Sequence, residues 1–213
     1  MKKENLKRMI AAVSFFTAFV LWTCAVCFFD VRPIGVLGTK VGFAFLNGEF
    51  HHLTGVHMSL YALTDLLSLI PLGFVLFFGS LGVWQTFLRK SLLRVDRSLI
   101  VLGFFYVTVA AFFLFFEMCV INVRPILIEG RMEASYPSST TLLVLTVMPT
   151  ALMQLNARMK KSAFRTCVLA LLSFFTVFMV VSRLLSGVHW LSDIIGGGLL
   201  SVSLVFAYSA FSR

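Results

Sequence analysis

Charge is what this sequence has least of. Lys, Arg, Asp and Glu together make 13% of the chain, and only nine residues are acidic. A soluble domain carries roughly 25% charged residues, so this chain has too little polar surface to face water on every side. Cysteine is also scarce, with four in 213 residues. Cys24 and Cys27 form a C-x-x-C inside an apolar run, without a second pair or a nearby histidine, which excludes a zinc or redox motif. They read as small packing residues, and no disulfide is expected. Internal repeats and low-complexity linkers are absent. The Gly196-Gly197-Gly198 run lacks the lysine of a nucleotide loop and reads as close helix packing. The net charge is +9, yet the basic residues flank apolar runs and form no single stripe, which excludes a nucleic-acid partner.

What remains is apolar. Hydrophobic residues make 59% of the chain, 24 of them Phe, and the mean hydropathy is +0.96. A spanning helix needs about 20 mostly apolar residues. Six stretches meet that need: 9–29, 61–82, 99–121, 140–157, 166–184 and 194–211, the fourth and last being the weakest. The first is longer than a signal-peptide core of about 7–15 residues and has no small-x-small site after it, so it reads as a retained helix. The expected fold is an all-α membrane protein: a six-transmembrane-helix bundle forming one membrane-embedded domain over residues 1–213.

Orientation follows from the cations. With a cytoplasmic amino terminus, thirteen of the 18 Lys and Arg lie inside: Lys2, Lys3, Lys7, Arg8, Arg89, Lys90, Arg94, Arg97, Arg158, Lys160, Lys161, Arg165 and Arg213. Five lie outside: Arg32, Lys40, Arg124, Arg131 and Arg183. The positive-inside rule therefore places both termini in the cytoplasm, in the plasma membrane of the cell.

Two outer connections carry the chemistry. One runs from Asn122 through Arg124-Pro125, Glu133 and Ser135 to Pro137-Ser138-Ser139-Thr140; the other from Ser182-Arg183 through Gly187 and His189 to Asp193. Either arginine alone reads as a residue snorkelling at a helix end. Together they bring forks suited to phosphate oxygens to the same face as a histidine four residues before an aspartate. Cationic forks, backbone donors and an oriented nucleophile are what phosphoryl transfer requires.

Residues 182–193 match, at every fixed position, the S-R-x-x-x-G-x-H-x-x-x-D signature: Ser182, Arg183, Gly187, His189 and Asp193. In this the chain resembles the type 2 phosphatidic acid phosphatase superfamily, over about residues 60–211. Arg124-Pro125 is similar to the end of that family's first motif, and Pro137-Ser138-Ser139 to the start of its second. The resemblance implies that His189 is the nucleophile and forms a phosphohistidine, and that Asp193 orients it. It further implies that Arg124, Arg183 and the Ser138–Ser139 backbone hold phosphate oxygens. No metal or cofactor is implied. The implied substrate is a lipid phosphate or diphosphate, hydrolysed at the outer face.

Two positions depart from the pattern. Glu117 stands where the family has a phosphate-binding lysine, and Thr140 where it has the histidine that protonates the leaving oxygen. General acid catalysis is worth roughly 10²–10⁴-fold, so its absence harms alkoxide leaving groups more than diphosphates. A weakly active or inactive lipid-phosphate binding or transport protein, or a lipid phosphotransferase, are the alternative functions. Glu117 reads either as a new acid or as the partner of a buried arginine, and Thr140 either as the cap of the fourth span or as a phosphate contact. His51, His52, His57 and Glu49 lack a closed metal-ligand set and read as an interfacial amphipathic segment. Asp65, inside the second span, is a functional candidate with no assigned role.

Overall fold

The computed structural model describes residues 2–212; Arg213, counted above on the inner side, lies outside them. All six predicted stretches are helical. They are α1 (Lys2–Phe28), the pair α3 (Met58–Leu67) and α4 (Leu69–Arg89), α5 (Arg97–Met118), α6 (Ser139–Arg158), α7 (Ala163–Leu185) and α8 (Leu191–Phe211), with a short α2 (Ala44–Thr54) between the first two spans. The chain is a multi-pass membrane protein of six spanning helices. The second span covers 32 residues and breaks at Ser68. Pro71 has no N–H for the Leu67 carbonyl, and Ser68 Oγ turns back to donate to the Asp65 carbonyl at 2.5 Å.

The two weakest runs in the sequence are the interior of the bundle. Over their spanning windows α6 is 56% buried and α8 50%, against 11–28% for the other four. A helix enclosed by helices needs no lipid-compatible surface, so it tolerates Thr146, Thr150, Ser201 and Ser203 with hydroxyls bonded to nearby carbonyls. The outer helices expose Leu, Val and Phe to the bilayer. The four cysteines are exposed, three on α1 and α7 and Cys119 just past the end of α5, so their expected place in the packed interior is corrected; a small apolar side chain suits lipid equally well. α1 lies antiparallel along α8, with Ser203 Oγ donating to the Ala12 carbonyl at 2.8 Å and Trp22 Nε1 to the Ser192 carbonyl at 3.0 Å.

At the end of the bundle that carries both termini, Asp96 ties α4, α5 and α6 together. Its carboxylate takes Arg89 and Arg158 at 3.0 Å each and the Gln85 amide at 2.9 Å. The Gln85 bond, then Arg158, hold its carboxyl down at about 2.

At the opposite end, residues 30–57 fold back over the start of α8. Asn47 of α2 is fully buried; its Nδ2 donates to Gly42 O at 2.7 Å and Ser192 Oγ at 2.9 Å, and its Oδ1 accepts the Ser192 N–H at 3.0 Å. Phe45 and Leu53 on the opposite face are 67% and 80% exposed. The side of the segment that carries Asn47 docks on the protein, while Glu49 and His52 share the exposed side with these apolar residues.

Candidate active site

Residues 122–135 close into a hairpin. Glu129 and Gly130 both have positive φ (49° and 75°), and Ile128 and Arg131 exchange backbone hydrogen bonds around them. Two residues of that conformation match the twist of a tight hairpin. The pairing sets Val123 opposite Ala134, and it brings Asn122 and Ser135 to the same end of the hairpin. This hairpin delivers Asn122, Arg124 and Ser135 to the loop between α7 and α8.

That loop is fixed at Gly187. Its φ is +69°, and a Cβ there would stand 2.0 Å from the Gly55 carbonyl oxygen, so only glycine lets the two loops touch. His189 follows, 3% exposed. Asp193, fully buried, lies in the first turn of α8 and accepts the Trp190 N–H at 3.0 Å, the Asn122 amide at 3.0 Å and the Ser192 hydroxyl at 3.4 Å.

Asp193 reaches His189 through an intermediary. His189 Nδ1 lies 3.9 Å from Asp193 Oδ2. Ser135 stands between them: its Oγ donates to Asp193 Oδ2 at 2.5 Å and is 3.1 Å from His189 Nδ1, while its carbonyl lies 3.2 Å from the same nitrogen. With a proton on Nδ1, held by Ser135, Nε2 keeps its lone pair, and Nε2 has no protein hydrogen-bond partner. Burial first, then the positive charges of Arg124 and Arg183, push the imidazole well below its ordinary titration range.

Both arginines are buried, 7% and 2% exposed, and neither snorkels. Their guanidiniums lie over one ring, Tyr61 of α3, at 4.7 Å for Arg183 and 5.7 Å for Arg124. Arg183 Nη1 donates to Thr64 Oγ1 at 3.2 Å, and Arg124 Nε pairs with the Glu133 carboxylate at 3.1 Å, out of hydrogen-bonding alignment. Arg183 Nε and Arg124 Nη1 have no protein hydrogen-bond partner.

The α6 amino terminus adds backbone donors. Ser138, not Thr140, caps it, its Oγ accepting from Thr141 N at 3.4 Å and Thr141 Oγ1 at 3.0 Å. The Ser138 N–H already donates to the Asp193 carbonyl at 3.1 Å, so the expectation that it holds phosphate is corrected. The free first-turn amides are those of Ser139 and Thr140. Gly196 and Gly197 let this segment lie against α8: a Cβ at Gly196 would meet the Tyr136 ring at 2.6 Å. The glycine run therefore packs a loop and a helix end. Ser139 and Thr140 line the mouth of a cavity of about 390 Å³ between α3–α4, α5 and α6, with Asp65 and Ser68 also on its wall. Glu117 is exposed at the end of α5, and among the described residues it pairs with no arginine; Glu133 takes that place.

Five expected site residues thus converge: Arg124, Ser138, Arg183, His189 and Asp193, with Ser139 and Thr140 at the edge. Ser135, Asn122, Tyr61 and Thr64 were not foreseen. Ser135 and Asn122 belong to a polar outer connection, which was their one signal; Tyr61 and Thr64 gave none.

No protein-family profile and no curated protein sequence matches the chain. Among solved structures, the chain is similar to a transmembrane PAP2-type phosphatidylglycerolphosphate phosphatase from Bacillus subtilis, at 17% identity, with a TM-score of 0.67 over 94% of this chain and 95% of that one. The chain has the fold of a PAP2-type membrane phosphatase.

Proposed function

We propose that this protein hydrolyses lipid phosphates at the outer face of the plasma membrane through a phosphohistidine on His189. One observation carries the reading: a buried, neutral imidazole with its Nδ1 held by Ser135 and its Nε2 unpartnered lies beside two arginines whose N–H groups also lack protein partners. Buried donors without partners are costly, and a phosphoryl group satisfies them. Arg124 and Arg183 bind its oxygens, the Ser139 and Thr140 amides add donors, and Nε2 attacks phosphorus as the lipid oxygen departs. Water then cleaves the N–P bond and releases phosphate. Asp193 acts through Ser135, fixing the tautomer. Residues 1–213 serve as one catalytic domain, with both termini cytoplasmic.

The test is phosphate release by purified protein in detergent from lipid mono- and diphosphates, with His189→Ala as control. Turnover abolished by His189→Ala, together with an acid-labile phosphoprotein trapped in the wild type, is the expected result. Retained turnover in His189→Ala would overturn the mechanism. Binding without any release would leave the binding-protein alternative.

A further inference from the structure

Asp65 has no role in the site described so far, yet its position is unusual. It lies on α3, one residue after the Thr64 hydroxyl that holds Arg183 and four after the Tyr61 ring beneath both arginines. Asp65 is exposed on α3 and is one of the residues lining the 390 Å³ cavity, with Ser68, Ser139 and Thr140. Deeper in, the wall is apolar, formed by residues such as Leu72, Val109, Phe113 and Val147. An apolar trough with a polar mouth next to a phosphate clamp accommodates an ester oxygen at the mouth and its lipid chain below.

The other acids near the site are occupied or misplaced. Asp193 accepts four hydrogen bonds, and Glu133 pairs with Arg124. Glu117 opens on a cleft of about 10 Å³ beside Ser135 and Ser139, barely room for one water at roughly 10–15 Å³. The Asp65 carboxyl, among the described residues, has neither a hydrogen bond nor an ion pair. The charged and titratable groups around it are Arg183 from α7, within its electrostatic reach, and Tyr106 from α5 on the same cavity wall.

We infer that Asp65 supplies the proton to the leaving oxygen, and that the substrates are lipid phosphomonoesters whose leaving group becomes a neutral alcohol. This rests on the phosphatase reading above. Thr140, which lines the same cavity from α6, has no proton acidic enough to give an alkoxide, whereas the Asp65 carboxyl has one. In the first step the Nε2–P bond forms as the P–O bond to the lipid breaks, and the departing oxygen takes the carboxyl proton of Asp65. In the second, water oxygen bonds to phosphorus as the N–P bond breaks, and the water proton passes to the Asp65 carboxylate. Water is the only co-reactant, and the carboxyl is restored.

The same placement argues against diphosphates. Both arginines belong to the phosphate under attack, and the cavity wall carries no Lys or Arg. A second phosphate, itself charged, would sit against a largely apolar wall with no cation to offset it.

The experiment compares wild type, Asp65→Asn, Asp65→Asn/Thr140→His and His189→Ala. Each is given a diacylglycerol phosphate, an isoprenyl diphosphate and an aryl phosphate, whose leaving group departs without a proton. The wild type should prefer the diacylglycerol phosphate to the diphosphate. Asp65→Asn should lower kcat on the lipid monoester by about 10²–10⁴-fold with little change in KM, and should lose far less on the aryl ester. Thr140→His in that background should recover part of the loss, because its imidazole enters the same mouth.

If Asp65→Asn keeps wild-type kcat on the lipid monoester while His189→Ala is inactive, the acid assignment fails and the phosphatase reading stands. Equal losses on lipid and aryl esters would mark a structural role and overturn it too. A preference for the diphosphate would overturn the substrate class. No phosphate release by the wild type from any of the three would overturn the phosphatase reading itself, and this inference with it.

Discussion

A nucleophilic histidine must keep its lone pair at the pH of its work. Here burial and two guanidiniums favour the neutral ring. An unfolded chain takes up this proton near pH 6.5, whereas the folded one does so only at lower pH. Between those values the unfolded state holds more protons, so stability falls as pH drops below about 6.5. The acid limb of kcat/KM, which reports the free enzyme, should lie well below pH 6.5. Arg124→Gln removes one of the charges and should move that limb upward while lowering turnover; rate profiles in detergent from pH 4 to 8 check both. A limb at the ordinary histidine value in the wild type would contradict the burial of His189. Ser135→Ala removes the link to Asp193 and should lower kcat by about 10- to 100-fold, in line with a hydrogen bond to a charged group, with KM nearly unchanged. Ser135 is also the residue where sequence reading reached its limit. The aspartate four positions after His189 reads as the group that orients it, and only the hairpin reveals that a serine 58 positions before Asp193 stands between them.

At the scale of elements, the outer loops touch where side chains are missing. Gly187→Ala places a methyl in a left-handed backbone 2.0 Å from the Gly55 oxygen. The backbone alone costs about 1–2 kcal/mol, and the clash adds to it. The variant should melt lower in detergent and lose turnover. Gly198→Ala, whose Cβ meets nothing within 4 Å in the middle of α8, should melt at or above the wild type. Matching losses in both would mean that helix context, not loop contact, sets the effect. Helix positions were legible because length and apolarity define a span. The break at Ser68 follows from Pro71, and the hairpin tip from Glu129-Gly130, both local. The docking of α2 was not legible: Asn47 meets Ser192 across 145 residues, and no local pattern encodes that contact.

For the whole molecule, the basic residues predict an orientation that labelling can check. In a cysteine-free background, Glu129→Cys at the exposed hairpin tip should react with a membrane-impermeant maleimide in intact cells. Leu93→Cys, 93% exposed between α4 and α5, should react only after permeabilisation. The reverse pattern would turn the site to the cytoplasm and undo its proposed outer location. Hydropathy revealed which helices cross but not which are central. The two least apolar runs read as the weakest spans because α6 and α8 are shielded from lipid by the rest. The buried arginines lie outside those two helices: Arg183 ends α7, with its guanidinium over Tyr61 of α3, and Arg124 belongs to the hairpin.

The break at Ser68 leaves α3 as a lever ten residues long. One side of it steadies both guanidiniums through Tyr61 and Thr64; the next residue, turned by about 100° around the helix axis, borders the apolar trough. No tilt of this lever alters one side alone. The grip on the guanidiniums and the shape of the trough therefore share one short rigid element, and neither can be reshaped through α3 without the other.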